Sequence, residues 1–168
     1  MSRDSKVLYH RNIRDRVSRI APFLSLDTDP YIMVLDGRLT WVIDGYTTTT
    51  RYPYSEPLAD GTNYIRNSVK ATLDLYTGET KLYIADPSDP IIRTWSNVFP
   101  SLFQPLDEMP ADLRAHLRVG EEGFDVTTRM YARYHVTDPQ TFYRQDDVWT
   151  VPEASAGSQS LPGEAYYV

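Results

Sequence analysis

Two tight-turn signals limit what this chain can fold into. Asp36-Gly37 separates the β-favouring runs YIMVL and RLTWVID, and glycine accepts the positive φ that a two-residue hairpin turn requires. The pattern predicts strands over 31–36 and 39–44. The threonines of YTTTT, from Tyr46 to Thr50, extend the second strand or open a third. Thr77-Gly78 divides a second pair of runs. Ile65, Ala71 and Leu73 fall mostly on alternate positions before it, with Ser68 or Val69 between them, and Leu82 and Ile84 alternate after it.

Helical periodicity flanks these hairpins. Ile13, Val17, Ile20 and Leu24 recur at helical spacing, which predicts a helix over 9–21 ended by Pro22. Asp89 is a good N-cap and Pro90 a good first helical residue. The apolar stripe that follows runs from Ile91 and Ile92 through Trp95 to Phe103, with Pro100 expected to kink or split the helix. Further helices are predicted near 109–118 and 124–135, and a short one from Asp138-Pro139. Strands segregated from helices imply an α+β fold. The expectation is an antiparallel meander of about four strands, covered on one face by the N-terminal helix and several C-terminal helices. It occupies a single domain over 1–151. Residues 152–168, rich in small residues, proline and glycine, read as a flexible tail, and the closing YYV as the start of a truncated strand.

Composition excludes some functions. Cysteine is absent, so there is neither a disulfide framework nor thiolate chemistry. The net charge of -6 argues against nucleic acid as a partner, because phosphate binding requires a basic face. Charge is uneven, however. Residues 1–20 carry six basic and two acidic side chains, and such a basic first helix could touch an anionic lipid surface. No apolar run approaches the ~20 residues of a membrane span, and Met1-Ser2-Arg3-Asp4 does not open a signal peptide, so the chain itself is expected to be soluble.

Several residue groups are candidates for chemistry. His116 and His135, with Glu121, Glu122 and Asp125 between them, offer nitrogen and oxygen ligands of the kind Zn²⁺ takes, but without H-E-x-x-H spacing. Asp27 and Asp29 of DTDP, and Asp86 and Asp89 of DPSDP, are weak candidates for a hard cation such as Ca²⁺; an aspartate before proline is more often a turn or cap residue. Asp36, Asp44 and Asp74 could supply a glycosidase pair only if two flanked one bond, and strand-end acids are ordinarily exposed. The best binding candidate is aromatic: Tyr46, Tyr52, Tyr54 and Tyr64 with Arg51 and Arg66, flat surfaces with polar tips beside planar donors suited to sugars, peptides or anions. The competing reading is that these rings cap the sheet. No glycine-rich phosphate loop and no Gly-x-Ser-x-Gly elbow is present, and no cofactor is implied.

Long stretches carry a family resemblance. RNIRDRVSRIAPFL, DPYIMVLDGRLTWVIDGYTTTTRYPYSEP, NYIRNSVKATLDLYTGETKLYIADPSDPI, FPSLFQPLDEMPADLRAHLR, YHVTDPQTFYRQDDVW and YYV occur in that order. Together they resemble the bacterial membrane proteins called uncharacterised protein family 0182, from about Leu8 to Val168. One departure falls at Arg118–Phe124, where RVGEEGF stands in place of a RYPEDLF-like segment. The resemblance implies a fragment of a soluble, extracytoplasmic region that follows several transmembrane helices. It names no activity. The expectation is a non-enzymatic module at the bacterial cell membrane, acting through the remainder of its parent chain or through envelope components. An envelope hydrolase or transport-linked enzyme fragment, or a calcium- or sugar-binding module, is the alternative. The isolated piece is also expected to pair with another copy through an open sheet edge near Val168.

Overall fold

The computed structural model describes residues 9–150 throughout, and the backbone of 153–156 and 159–162. The chain divides into two compact units, Met1–Gly120 and Glu121–Val168, whereas the sequence pattern suggests one domain to 151.

The first unit is built on the two hairpins. Strand β1 is Ser25–Leu26, β2 Tyr31–Leu35, β3 Arg38–Thr49, β4 Tyr64–Asp74, β5 Thr80–Ile84 and β6 Phe103–Pro105. They form one sheet in the order β1-β3-β4-β5-β6, with β2 also on β3. All pairings are antiparallel except β5 with β6. Asp36 and Gly37 both have positive φ, 48° and 72°, so the first turn has the conformation that matches strand twist. Gly78, at φ 72°, sits in the second. The expected α+β meander is present, wider than four strands because β1 and β6 join it.

Both faces of this sheet are covered, rather than one. Helix α1 (Ile13–Ile20) is capped by Asn12, and α2 (Pro90–Val98) by Asp89. Ile13, Val17 and Ile92 from these helices pack with Ile43, Val69 and Leu82. Neighbouring residues along a strand point to opposite faces. Accordingly Val42 and Tyr83 lie on the other side, with Tyr31, Met33, Met109 and Leu113. Leu113 belongs to α3 (Ala111–Ala115), which follows a 3₁₀ turn at Leu106–Glu108. The predicted helix through Phe103 is corrected: α2 ends at Val98, and Phe103 pairs with Leu82 in β6. Pro100 forbids helical continuation, and Phe103 buries its ring as a strand residue instead.

The second unit holds α4 (Glu121–Tyr134) and α5 (Pro139–Arg144). Asp138 caps α5 through the Thr141 amide at 2.7 Å. His135 lies against Trp149, ring centres 3.9 Å apart, and the Trp149 amide donates to the Ala132 carbonyl at 3.1 Å. Within the expected flexible tail, β7 (Glu153–Ala156) pairs antiparallel with β8 (Gln159–Pro162). The suggested truncated strand and open edge at Val168 lie outside the described residues.

Candidate functional site

The unusual chemistry of the first unit gathers where β3 and β4 slip register. Gly45 faces Val69 and Tyr46 faces Asn67, so Ser68 is an extra residue. A bulge of this kind re-aims side chains. Here it separates two buried polar clusters on opposite faces of one stretch of sheet.

On the α3 side, Asp44 and Lys70 are cross-strand partners and form a buried ion pair. Asn67 Nδ2 donates to Asp44 Oδ1 at 2.7 Å, and Lys70 Nζ donates to the Arg118 carbonyl at 3.1 Å. The Tyr46 hydroxyl donates to Asp27 Oδ2 at 2.6 Å, and both residues are buried. Charge is thus taken out of water only with a partner, as its desolvation cost demands. Gly120 closes the cluster. A Cβ placed there would lie 2.2 Å from the Tyr46 hydroxyl and 2.6 Å from Asp27 Oδ2. Gly120→Ala should therefore cost about 1–3 kcal/mol through overpacking, read as a lower urea midpoint. This glycine lies in the RVGEEGF segment.

On the α2 side, Asp89 is the hub. Its Oδ2 accepts from the hydroxyls of Thr47 and Ser68, each at 2.6 Å, and from the Ile92 amide at 3.2 Å. Its Oδ1 accepts from the Tyr64 hydroxyl at 2.6 Å and the Ile91 amide at 3.0 Å. Burial alone would raise the Asp89 pKa, but the bonds from Ser68, Thr47, Tyr64 and Ile91 outweigh it and hold the carboxyl below its usual range. Burial, then the bond to Asp89, pushes the Tyr64 phenol up to about 12.

The sequence-derived candidates scatter over these features. Tyr46 is a core residue, not part of a loop surface. Tyr64 is committed to Asp89, and Tyr52 stacks on it with ring centres 5.4 Å apart. Tyr54, at φ 59°, is fully exposed at a loop tip, and Arg51, just after β3, is exposed. Arg66 reaches Asp86 at 3.2 Å.

The aspartates do not gather as a cation cage. Asp29 is exposed, and its amide donates to Asp27 Oδ1 at 2.9 Å. Asp86 accepts from the Ser88 amide and hydroxyl, while Asp89 turns inward. Among the described residues, no three or more His, Asp or Glu side chains converge as metal ligands. His116 and His135 belong to different units, and each Nδ1 bonds the carbonyl four residues earlier. Asp44, expected at an exposed strand end, is buried; Asp36 sits in the first hairpin turn. Asp74 caps the second turn, where the Thr77 amide holds its carboxyl below the usual range.

The basic character of α1 is partly used internally. Arg14 donates to the Asp27 carbonyl at 2.7 Å, Arg16 to the Gly78 carbonyl at 2.6 Å, and Arg19 pairs with Asp15. A cleft of about 260 Å³ lies beside β2, between Tyr31–Val34 and the side chains of His116 and Arg118. The Arg118 guanidinium sits over the Tyr31 ring at 4.8 Å.

The model of an uncharacterised protein family, UPF0182, matches residues 1–168. A UPF0182 protein of Pelotomaculum thermopropionicum is 51% identical over 164 residues, covering 98% of this chain and 18% of the relative. One of Methanospirillum hungatei is 48% identical over 171 residues, covering 98% and 19%. The UPF0182 protein alr1037 of Nostoc is 48% identical over 174 residues, covering 98% and 17%. No solved structure matches the chain.

Proposed function

Because the chain belongs to the uncharacterised protein family UPF0182 and spans under a fifth of the length of these relatives, we propose that it is a non-enzymatic module of a longer membrane protein. In this reading it lies outside the cytoplasmic membrane and works through contacts with the rest of its polypeptide or with envelope components. One observation carries the reading. The buried carboxylates of Asp27, Asp44 and Asp89 are each engaged by internal donors, so the chemistry that sequence alone offers to a substrate is spent on joining strands, helix and loop. A general acid or nucleophile needs a group that a substrate can reach. Among the described residues no helix is long and apolar enough to cross a membrane, so the reading assigns the membrane spans to the remainder of the longer protein.

The placement has a direct test, because this chain has no cysteine of its own. Tyr54→Cys in the full-length protein puts a thiol at a fully exposed loop tip. In intact cells a membrane-impermeant maleimide should label this variant above the unsubstituted protein. Labelling only after the membrane is opened would place the module on the cytoplasmic side.

A further inference from the structure

The outer edge of β2 is where this module has unused bonding capacity. The two-residue turn at Asp36-Gly37 makes Leu35 and Arg38 a hydrogen-bonded pair, and the ladder alternates from there. Ile32 and Val34 are therefore non-hydrogen-bonded partners of Trp41 and Leu39, and their N–H and C=O groups point away from β3. The same alternation turns the Leu39 carbonyl toward the next strand, where it accepts from the Leu75 amide at 3.1 Å. Among the described residues no strand pairs with the far side of β2.

The side chains on this edge are as open as its backbone. Ile32 is 44% and Val34 69% exposed, while Tyr31 and Met33, which alternate with them, are buried. Leu39, facing Val34 across the hairpin, is 37% exposed. The strand YIMVL carries no charge, no proline and no bulge, which are the devices that keep a native edge from recruiting another chain.

We infer that β2 is completed by an extended strand from the part of the same polypeptide that lies outside these residues. That strand adds to the free N–H and C=O groups of Ile32 and Val34 and sets alternate apolar side chains over them. The inference deepens the reading of a docking module and rests on it. The occupant follows from chain length and from concentration. About four-fifths of each relative lies outside the matched segment. A strand of the same polypeptide meets the edge in an intramolecular step, whereas a free partner or a second copy must be recruited from solution or from the membrane. Strand addition of this kind draws affinity from main-chain bonds and register from alternate side chains.

The test uses the full-length protein in its membrane. A photo-reactive phenylalanine, p-benzoylphenylalanine, is placed at position 34, and at position 54 as an exposed control. After irradiation the cross-linked peptides are identified by mass spectrometry. The expected result is a product of monomer mass from position 34, joined to a peptide outside residues 1–168, and loss of that product from position 54. A product of dimer mass joined to β2 of a second copy would overturn the inference. So would a link to another protein, a link confined to residues 1–168, or no link. The result is separable from the placement test. Unlabelled Tyr54→Cys with an intramolecular link at position 34 refutes the placement alone, and the converse pattern refutes the strand addition alone.

Discussion

Lys70→Met should cost about 3–5 kcal/mol, the penalty for breaking a buried ion pair and stranding its partner. Methionine keeps most of the stem's volume but leaves the buried Asp44 carboxylate without the ammonium that faces it across β3 and β4. The Asn67 amide still donates to Asp44, but one neutral donor does not replace a charge. The loss extends beyond the pair, because Lys70 also bonds the Arg118 carbonyl and so ties the segment after α3 to the sheet. Against a typical domain stability of about 5–15 kcal/mol, this is a large fraction. Urea denaturation should show a midpoint far below that of the parent with a similar slope. A midpoint within error of the parent would mean that the pair does not hold β3 and β4 together.

Asp89→Ala should cost about 2–4 kcal/mol. It removes a helix cap worth roughly 1 kcal/mol and leaves the buried hydroxyls of Thr47 and Ser68 with only each other as partners, at about 1–3 kcal/mol for an unmade bond. The same carboxylate gives a pH signature. Its native pKa lies below the unfolded value near 3.9, so its contribution is complete above that value and is lost as pH falls through the native pKa. The stability difference between the parent and Asp89→Asn should therefore be flat from pH 7 to about 5 and shrink below about 4. A difference that grows on acidification would reverse the assignment. Tyr64 acts at the opposite end. Its phenol is raised, so its stabilisation is present below the unfolded value near 10 and fades as pH climbs toward 12.

What the sequence reveals here is mostly local. Asp36-Gly37 and Thr77-Gly78 mark the hairpins because a turn's φ requirement is written in adjacent residues. Asp89-Pro90 and Asp138-Pro139 mark helix starts for the same reason; Asp89 caps as expected, and Asp138 caps its helix too. The alternation that stumbles at Ser68 and Val69 is the trace of the bulge. Its consequence, a hydroxyl delivered to Asp89 from twenty-one residues away, is not legible. Tyr46 reads as a surface ring because tyrosine suits surfaces, and Asp44 as an exposed strand-end acid. Burial of both depends on Asp27, Lys70 and Gly120, which converge only once cross-strand register and the return of the chain after α3 are fixed. β6 escapes for a similar reason: three residues pair in parallel with β5 after a helix, and nothing local announces it. The exposed edge of β2 was hidden because YIMVL reads equally well as a central strand.

The most direct measurement is the coupling free energy between Asp44 and Lys70, from urea unfolding of Asp44→Asn, Lys70→Met and the double variant at pH 7. If buried charge serves here to lock the fold, the two changes are coupled by more than about 1 kcal/mol, and the double variant is more stable than Lys70→Met alone. Strictly additive losses, or two single variants as stable as the parent, would contradict that account and return these side chains to the pool available for chemistry.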